Sequence, residues 1–393
     1  MQFQNIRFTF IATRYPKTKK LMKSHLHLLQ INLQFGDFKL ALLSLVTAFV
    51  VTLIAIPPII LLIKKYKLFD MPSARKEHSS PIPTMGGIAI FCGMVAALLI
   101  WFPFTNNLAQ ICFFFSILVL FGLGIMDDLR DLSARYKFII QIGLAALIAI
   151  AGIRITSFNG LFGINELSIS AQYTMTILAI VGITNAFNLI DGIDGLAGGI
   201  GFMSLITLGL FLTMGKDAYT ALIAFALAGG ILAFLYYNFN PARIFMGDTG
   251  SLVLGFVVAV LCIRFIQVNN ANPSGIIGYA PVFTLGLVMI PVFDTLRVFG
   301  TRIWRGKSPF VADRTHIHHL LTNNGISHSL ATRLICIVHA IILIDVYMMR
   351  NVRQELVVAV LFSFMILVTF IFSNINLITK WFSPKASSVQ SEN

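Results

Sequence analysis

Eleven apolar stretches divide this 393-residue chain, at roughly 40–63, 87–102, 109–126, 138–153, 172–187, 195–214, 218–237, 251–268, 276–296, 331–349 and 355–373. About 20 mostly apolar residues carry a helix across a bilayer. All eleven come near that length, the fourth and fifth being short. Lipid offers no partners for backbone N–H and C=O groups, so each stretch must satisfy its own by coiling into a helix. The pattern predicts an all-α, polytopic membrane bundle of about eleven transmembrane helices. Charged residues make up 11% of the chain and its mean hydropathy is +0.85; a soluble domain carries about 25% charged residues. The spans define one unit over 40–375, between a basic N-terminal tail at 1–39 and a polar C-terminal tail at 376–393. The first tail could be disordered, lie on the membrane surface, or precede a true start at Met22.

So few polar residues remain that their placement is informative. Five motifs fall in alternate connections, and therefore on one side of the membrane. They are Arg75-Lys-Glu-His78 running to Pro83-Thr-Met-Gly-Gly87; Asp127-Asp128; Asn188-Leu-Ile-Asp191-Gly-Ile-Asp194-Gly195; Phe245-Met-Gly-Asp248-Thr-Gly-Ser251; and Asp313-Arg314-Thr-His316-Ile-His318-His319. The same loops carry Lys64, Lys65, Lys67, Arg130, Arg135, Lys137, Arg297, Arg302, Arg305 and Lys307, whereas the other face offers little beyond Arg154, Lys216, Arg264, Arg350 and Arg353. An excess of basic residues marks the cytoplasmic side. The formal charge of +13 is therefore read as topology and headgroup attraction rather than as nucleic-acid binding. The basic tail at 1–39, placed outside by parity, is the one region that runs against this. Cys92, Cys112, Cys262 and Cys336 lie in or beside apolar spans and read as small core residues.

Each motif admits a structural reading beside a chemical one. Asp127 and Asp128 follow an apolar run. Adjacent acids repel and would share a divalent cation, or they simply end a helix before a charged loop. Asn188, Asp191 and Asp194, spaced by three, make one stripe if they lie on a helix; a cap and turn opening the next helix is the alternative. Asp248 opens the eighth stretch between two glycines, where free N–H groups would favour phosphate or where the acid itself would cap. Arg314, His316, His318 and His319 suggest an anion site, or a basic loop touching lipid headgroups. Asp294, near the cytoplasmic end of the ninth stretch, could face the same site.

With these residues in place, the chain resembles the polyprenyl-phosphate N-acetylhexosamine-1-phosphate transferases, relatives of the phospho-MurNAc-pentapeptide transferase within glycosyltransferase family 4. The resemblance runs from about 40 to 375. It rests on Pro83–Gly87, Asn185–Gly195, Phe245–Ser251 and Ser308–His319, in the family's order. The last resembles the hexosamine branch, because the pentapeptide enzymes carry three consecutive histidines there. The resemblance implies that a polyprenyl phosphate attacks the β-phosphate of a UDP-amino sugar, most simply UDP-GlcNAc, and releases UMP. It implies Mg²⁺, with Mn²⁺ as a possible substitute, held by Asp248 and Asn188. Asp127, Asp128 and Lys137 would stand beside the metal and the lipid phosphate, and Asp191 and Asp194 beside the nucleotide. Arg314, His316, His318 and His319 would meet the diphosphate and sugar. The setting implied is the cell's inner membrane with the site on its cytoplasmic face, and a homodimer is one allowed assembly. A transporter would instead place ionisable groups and broken helices at mid-membrane, and the acid-rich run of the CDP-alcohol phosphatidyltransferases is missing around Asp191.

Overall fold

The computed structural model describes residues 16–66, 69–70, 82–272, 275–308 and 315–375. All eleven apolar stretches are helical. In chain order the helices are α1 (Pro16–Tyr66), α2 (Gly86–Trp101), α3 (Leu108–Arg130), α4 (Ala134–Ile150), α5 (Ile169–Ile190), α6 (Leu196–Met214), α7 (Ala218–Asn238), α8 (Gly247–Ala271), α9 (Ala280–Leu287), α10 (Met289–Trp304), α11 (Ile317–Thr322), α12 (His328–Met348) and α13 (Gln354–Ser373). Two short antiparallel pairs join them, β1 (Phe69–Asp70) with β2 (Ile82–Pro83) and β3 (Ser157–Leu161) with β4 (Ile164–Glu166). The first span continues back without interruption to Pro16, inside the basic tail.

The count of spans is smaller than eleven by strict length. Among the described residues eight helices are long and apolar enough to cross, or nine with the bent pair α9–α10. Helix α2 has 16 residues and α4 has 17, about 24–26 Å at 1.5 Å per residue, against a hydrocarbon core of about 30 Å. The fifth stretch, short in sequence, is extended by three residues at each end to 22.

Helix α8 is the axis of the bundle. It is apolar on every side and buried along nearly its whole length, as such a helix must be. It contacts α2, α3, α5, α6, α7 and α9. Helices α1 and α13 lie at the periphery and turn Ile54, Leu61, Ile366 and Phe370 outward. These side chains face the acyl chains, which are as apolar as they are.

The ninth stretch is not one straight helix. It breaks at Val288, and α9 and α10 diverge by 75°. The cause lies in Pro291, which has no N–H to give the carbonyl of Leu287 four residues earlier and whose ring crowds it. Ser204 Oγ donates to that carbonyl instead, at 2.8 Å, and His339 Nε2 lies 3.1 Å from the same hydroxyl. The bend directs α10 along α5, towards the end of the bundle where α5 stops.

Candidate functional site

The loops bearing the motifs converge at one end of the bundle. Backbone bonds join the first to the fourth: Phe245 N donates to Pro83 O, Gly86 N to Phe245 O and Gly87 N to Met246 O, at 2.8–2.9 Å. Gly87 lies directly on Gly250, where an added Cβ would come within 2.2 Å of the Gly250 nitrogen. Only this close approach seats α2 against the start of α8.

Asp248 stands in the first turn of α8 and binds side chains from two other helices. Lys137 Nζ, on α4, lies 3.0 Å from its Oδ2. Asn188 Nδ2, in the last turn of α5, donates to its Oδ1 at 2.9 Å and to Ser251 Oγ at 3.0 Å. The same Lys137 ammonium donates to Asp127 Oδ2 at 2.5 Å, while Asp127 Oδ1 accepts from Leu132 N at 2.7 Å. Asp127 is thus buried but fully engaged, as a buried acid has to be.

Asp128 does something the sequence did not disclose. Its carboxylate accepts from Asp248 N (2.7 Å), Thr249 N (3.1 Å) and Thr249 Oγ1 (2.5 Å). It caps α8 from another helix, pairing donors that begin a helix without partners of their own. The expectation that these N–H groups are free for phosphate is corrected, since a carboxylate occupies them. Gly247 makes room for it: φ is +71°, and a Cβ there would meet Asp128 Oδ2 at 2.6 Å. The alternative that Asp248 is a cap also falls away, because its side chain is turned to Lys137 and Asn188.

Asn188, Asp191 and Asp194 do not form a helical stripe. Helix α5 ends at Ile190, and the chain turns through Gly192 and Gly195, which has φ +77°. Asp191 lies just past the helix end, and its carboxylate makes no hydrogen bond among the described residues. Burial, followed by the nearby charges of Asp248, Asp128 and Asp194, pushes its pKa up to about 8. Asp194 is almost fully buried and accepts from Ala242 N (3.1 Å) and Asn240 Nδ2 (3.2 Å), tying this turn to the one before α8.

The histidine segment closes over the Asp191–Gly192 turn. His318 packs so tightly on Gly192 that a Cβ there would come within 2.6 Å of His318 Nε2. The His316 and His318 rings are parallel with centroids 6.0 Å apart, and His319 lies 4.2 Å from His318. His316 and His318 are buried, so these two rings do not reach lipid headgroups. Burial, with the charge of His319 second, holds His318 down at about 3, so its imidazole is neutral. Its ring packs on Gly192, and it is not one of the cations the sequence suggested. Arg314 lies outside the described residues, as do Arg75–His78 and Asp313.

Sequence reasoning gave Asp294 no assigned role, though it is almost completely buried and binds the start of the histidine segment: His316 Nδ1 lies 2.9 Å from its Oδ2 and Ile317 N 2.9 Å from its Oδ1. An acid inside an apolar stretch was the available signal. Thr249 and Ser251, partners of Asp128 and Asn188, lay inside a recognised motif but carried no charge to single them out.

Lys137 thus bridges the carboxylates of Asp127 and Asp248, Asp128 is bound to the start of α8 beside them, and the negative charges of Asp248 and Asp128 act on Asp191. Among the described residues no three His, Cys, Asp or Glu side chains form a metal-binding group. Mg²⁺ does not need one, since it keeps several waters and takes one or two carboxylates together with substrate phosphates. The donor set fits such an ion. A cavity of about 670 Å³ lies elsewhere. It is lined by Asn159, Glu166, Asn269 and Asn272, among others, beyond the far end of the 25-residue α8, about 37 Å from Gly247 at 1.5 Å per residue.

The model of glycosyl transferase family 4 matches residues 110–266, a segment that contains Asp127, Asp128, Lys137, Asn188, Asp191, Asp194 and Asp248. The chain is 33% identical over 348 residues to a Bacillus subtilis (strain 168) protein named "Probable undecaprenyl-phosphate N-acetylglucosaminyl 1-phosphate transferase", covering 87% of this chain and 95% of that one. It is 34% identical over 289 residues to the undecaprenyl-phosphate alpha-N-acetylglucosaminyl 1-phosphate transferase of Yersinia pestis, covering 71% and 76%. The protein of the same name in Escherichia coli (strain K12) is 30% identical over 300 residues, with the same coverage. A match over nearly the full length of the Bacillus protein, with these residues inside the segment matched by the family model, establishes that the chain belongs to glycosyl transferase family 4.

Proposed function

We propose that this membrane protein transfers GlcNAc-1-phosphate from UDP-GlcNAc to undecaprenyl phosphate. The lipid phosphate oxygen attacks the β-phosphorus, the bond from that phosphorus to the bridging oxygen breaks, and UMP leaves. The observation that carries the reading is the Lys137–Asp127–Asp248–Asn188 cluster at one end of the bundle, with Asp191 and the histidine segment facing it. The names of the relatives supply the acceptor and the transferred group.

The residues suit this chemistry. A phosphate monoester has a second pKa near 6 and arrives largely ionised, so no strong base is required. Positioning and charge neutralisation carry the reaction. Lys137 supplies a fixed positive charge between two acids. Asp248 would hold Mg²⁺, or Mn²⁺ in its place, with the Asn188 carbonyl oxygen as a second ligand. Bound there, the ion would offset charge on the diphosphate. Asp191, beside Gly192 and His318, faces the donor. The histidines contact the diphosphate and sugar, and Arg314 brings the guanidinium fork suited to phosphate. The acceptor's prenyl chain lies against the apolar outer surface. The site belongs on the cytoplasmic face of the inner membrane, where the product begins a cell-envelope polysaccharide.

The test is to incubate purified protein with undecaprenyl phosphate, Mg²⁺ and a panel of UDP-sugars, and to follow UMP. Release with UDP-GlcNAc is expected. A marked preference for another UDP-amino sugar would change the donor, and no UMP from any of them would overturn the reaction.

A further inference from the structure

Asp294 lies in the second turn of α10, outside the acidic cluster, and is 1% exposed. Its two oxygens have different duties. Oδ1 accepts from Arg297 Nη2 at 2.7 Å and from Ile317 N at 2.9 Å. Oδ2 faces His316 Nδ1 at 2.9 Å. Arg297 Nη2 also donates to Thr315 O, so the chain on both sides of His316 is fastened without help from the imidazole. The contact to the ring therefore adds something beyond anchoring. A carboxylate can only accept, so Nδ1 carries the proton and the ring's orientation is fixed. His316 Nε2 is left with no partner among the described residues. The fixed ring is parallel to His318, which lies on Gly192 beside Asp191.

We propose that Asp294 is a positioning residue for phosphosugar transfer. It holds His316 in the tautomer and orientation that present Nε2 to the diphosphate of the sugar nucleotide, while Arg297 keeps the carboxylate from turning away. Comparable carboxylate–histidine pairs orient imidazoles at metal and nucleophile sites. The inference rests on the function proposed above and adds a specific mechanical role to a residue in a bent span.

Asp294→Asn tests it in the full chain. The amide can still accept from Ile317 N through Oδ1, but its Nδ2 then faces His316 Nδ1 and can only donate, which moves the ring proton to Nε2. In the charge-relay case of this kind, losing the correct tautomer costs orders of magnitude. We expect kcat/KM for UDP-GlcNAc to fall about a hundredfold or more, with the KM for undecaprenyl phosphate unchanged. The decisive comparison adds His316→Ala and the double variant. If Asp294 acts through His316, Asp294→Asn costs no more than about threefold in the His316→Ala background. Losses that multiply, or a single Asp294→Asn variant within about threefold of wild type, would overturn the proposal. If Asp294→Asn lowers the melting temperature too far for assay, Asp294→Glu takes its place in the cycle. It keeps an accepting carboxylate but displaces it, so a smaller loss that disappears in the His316→Ala background is expected, and a loss that multiplies with His316→Ala would overturn the proposal. A wild-type protein that releases no UMP would refute the reaction itself; an active wild type with multiplying losses would refute only this inference.

Discussion

Lys137 and Asp248 are 111 residues apart in sequence and 3.0 Å apart in space. The same ammonium reaches Asp127, so one cation from α4 holds acids from α3 and α8 together. Replacing Lys137 with Met leaves both without a counter-ion. A charge-assisted hydrogen bond contributes about 1.5–3 kcal/mol, so kcat at saturating substrates should fall by about one to two decades. Lys137→Arg should recover only part, because a planar fork cannot replace a point charge between two carboxylates. Turnover near wild type in Lys137→Met would remove Lys137 from the reaction.

Asp128 and Asp248 have opposite signatures. Asp128→Ala leaves two N–H groups and a hydroxyl at the start of α8 unpaired and should cost about 1–3 kcal/mol of stability, seen as a lower melting temperature. Asp248→Asn keeps the shape of the side chain, so the protein should fold while turnover drops by orders of magnitude. An ion that binds only the folded state raises its melting temperature, and Asp248→Asn should abolish that rise with Mg²⁺. The reverse assignment, with Asp128→Ala alone losing the Mg²⁺ effect, would move the metal to the other acid.

His318 fixes a pH dependence of stability. Its folded-state pKa is lowered to about 3 from an ordinary 6.5, so between these values the unfolded chain binds more protons. The sign follows: the neutral ring contributes fully above pH 6.5, and stability falls as pH drops below it, by at most about 1.4 kcal/mol per pH unit for one proton. Melting temperature measured from pH 7 to pH 4.5 should fall less steeply in His318→Gln than in wild type. Equal slopes would show that the ring is not buried neutral.

The cytoplasmic placement is tested by labelling intact cells. In a background lacking the four native cysteines, Ser168→Cys, at the start of α5, should react with an impermeant thiol reagent. Ser308→Cys, in the histidine loop, should not. The opposite pattern would invert the bundle.

Much of this architecture was legible in the sequence because the bilayer allows so few solutions. Apolar length placed the helices, and alternation of polar loops placed the motifs at one end. What stayed hidden depended on contacts distant in sequence. At the break at Val288, Pro291 leaves the Leu287 carbonyl free and Ser204 takes it from across the bundle. The helix stripe assigned to Asn188, Asp191 and Asp194 failed because spacing by three holds only while the helix continues, and two glycines end it. Asp128 looked like a twin of Asp127, yet one caps α8 and the other binds Lys137. Adjacent side chains on a helix point about 100° apart, so neighbours in sequence need not share a role.

The central claim is that a phosphosugar moves, not a sugar alone. Incubating the protein with undecaprenyl phosphate, Mg²⁺ and UDP-GlcNAc labelled with ³²P at the β-position tests it directly. The account predicts that the label enters the lipid fraction while unlabelled UMP is released, and that Asp248→Asn abolishes both. Label remaining in water-soluble UDP while GlcNAc enters the lipid would contradict it.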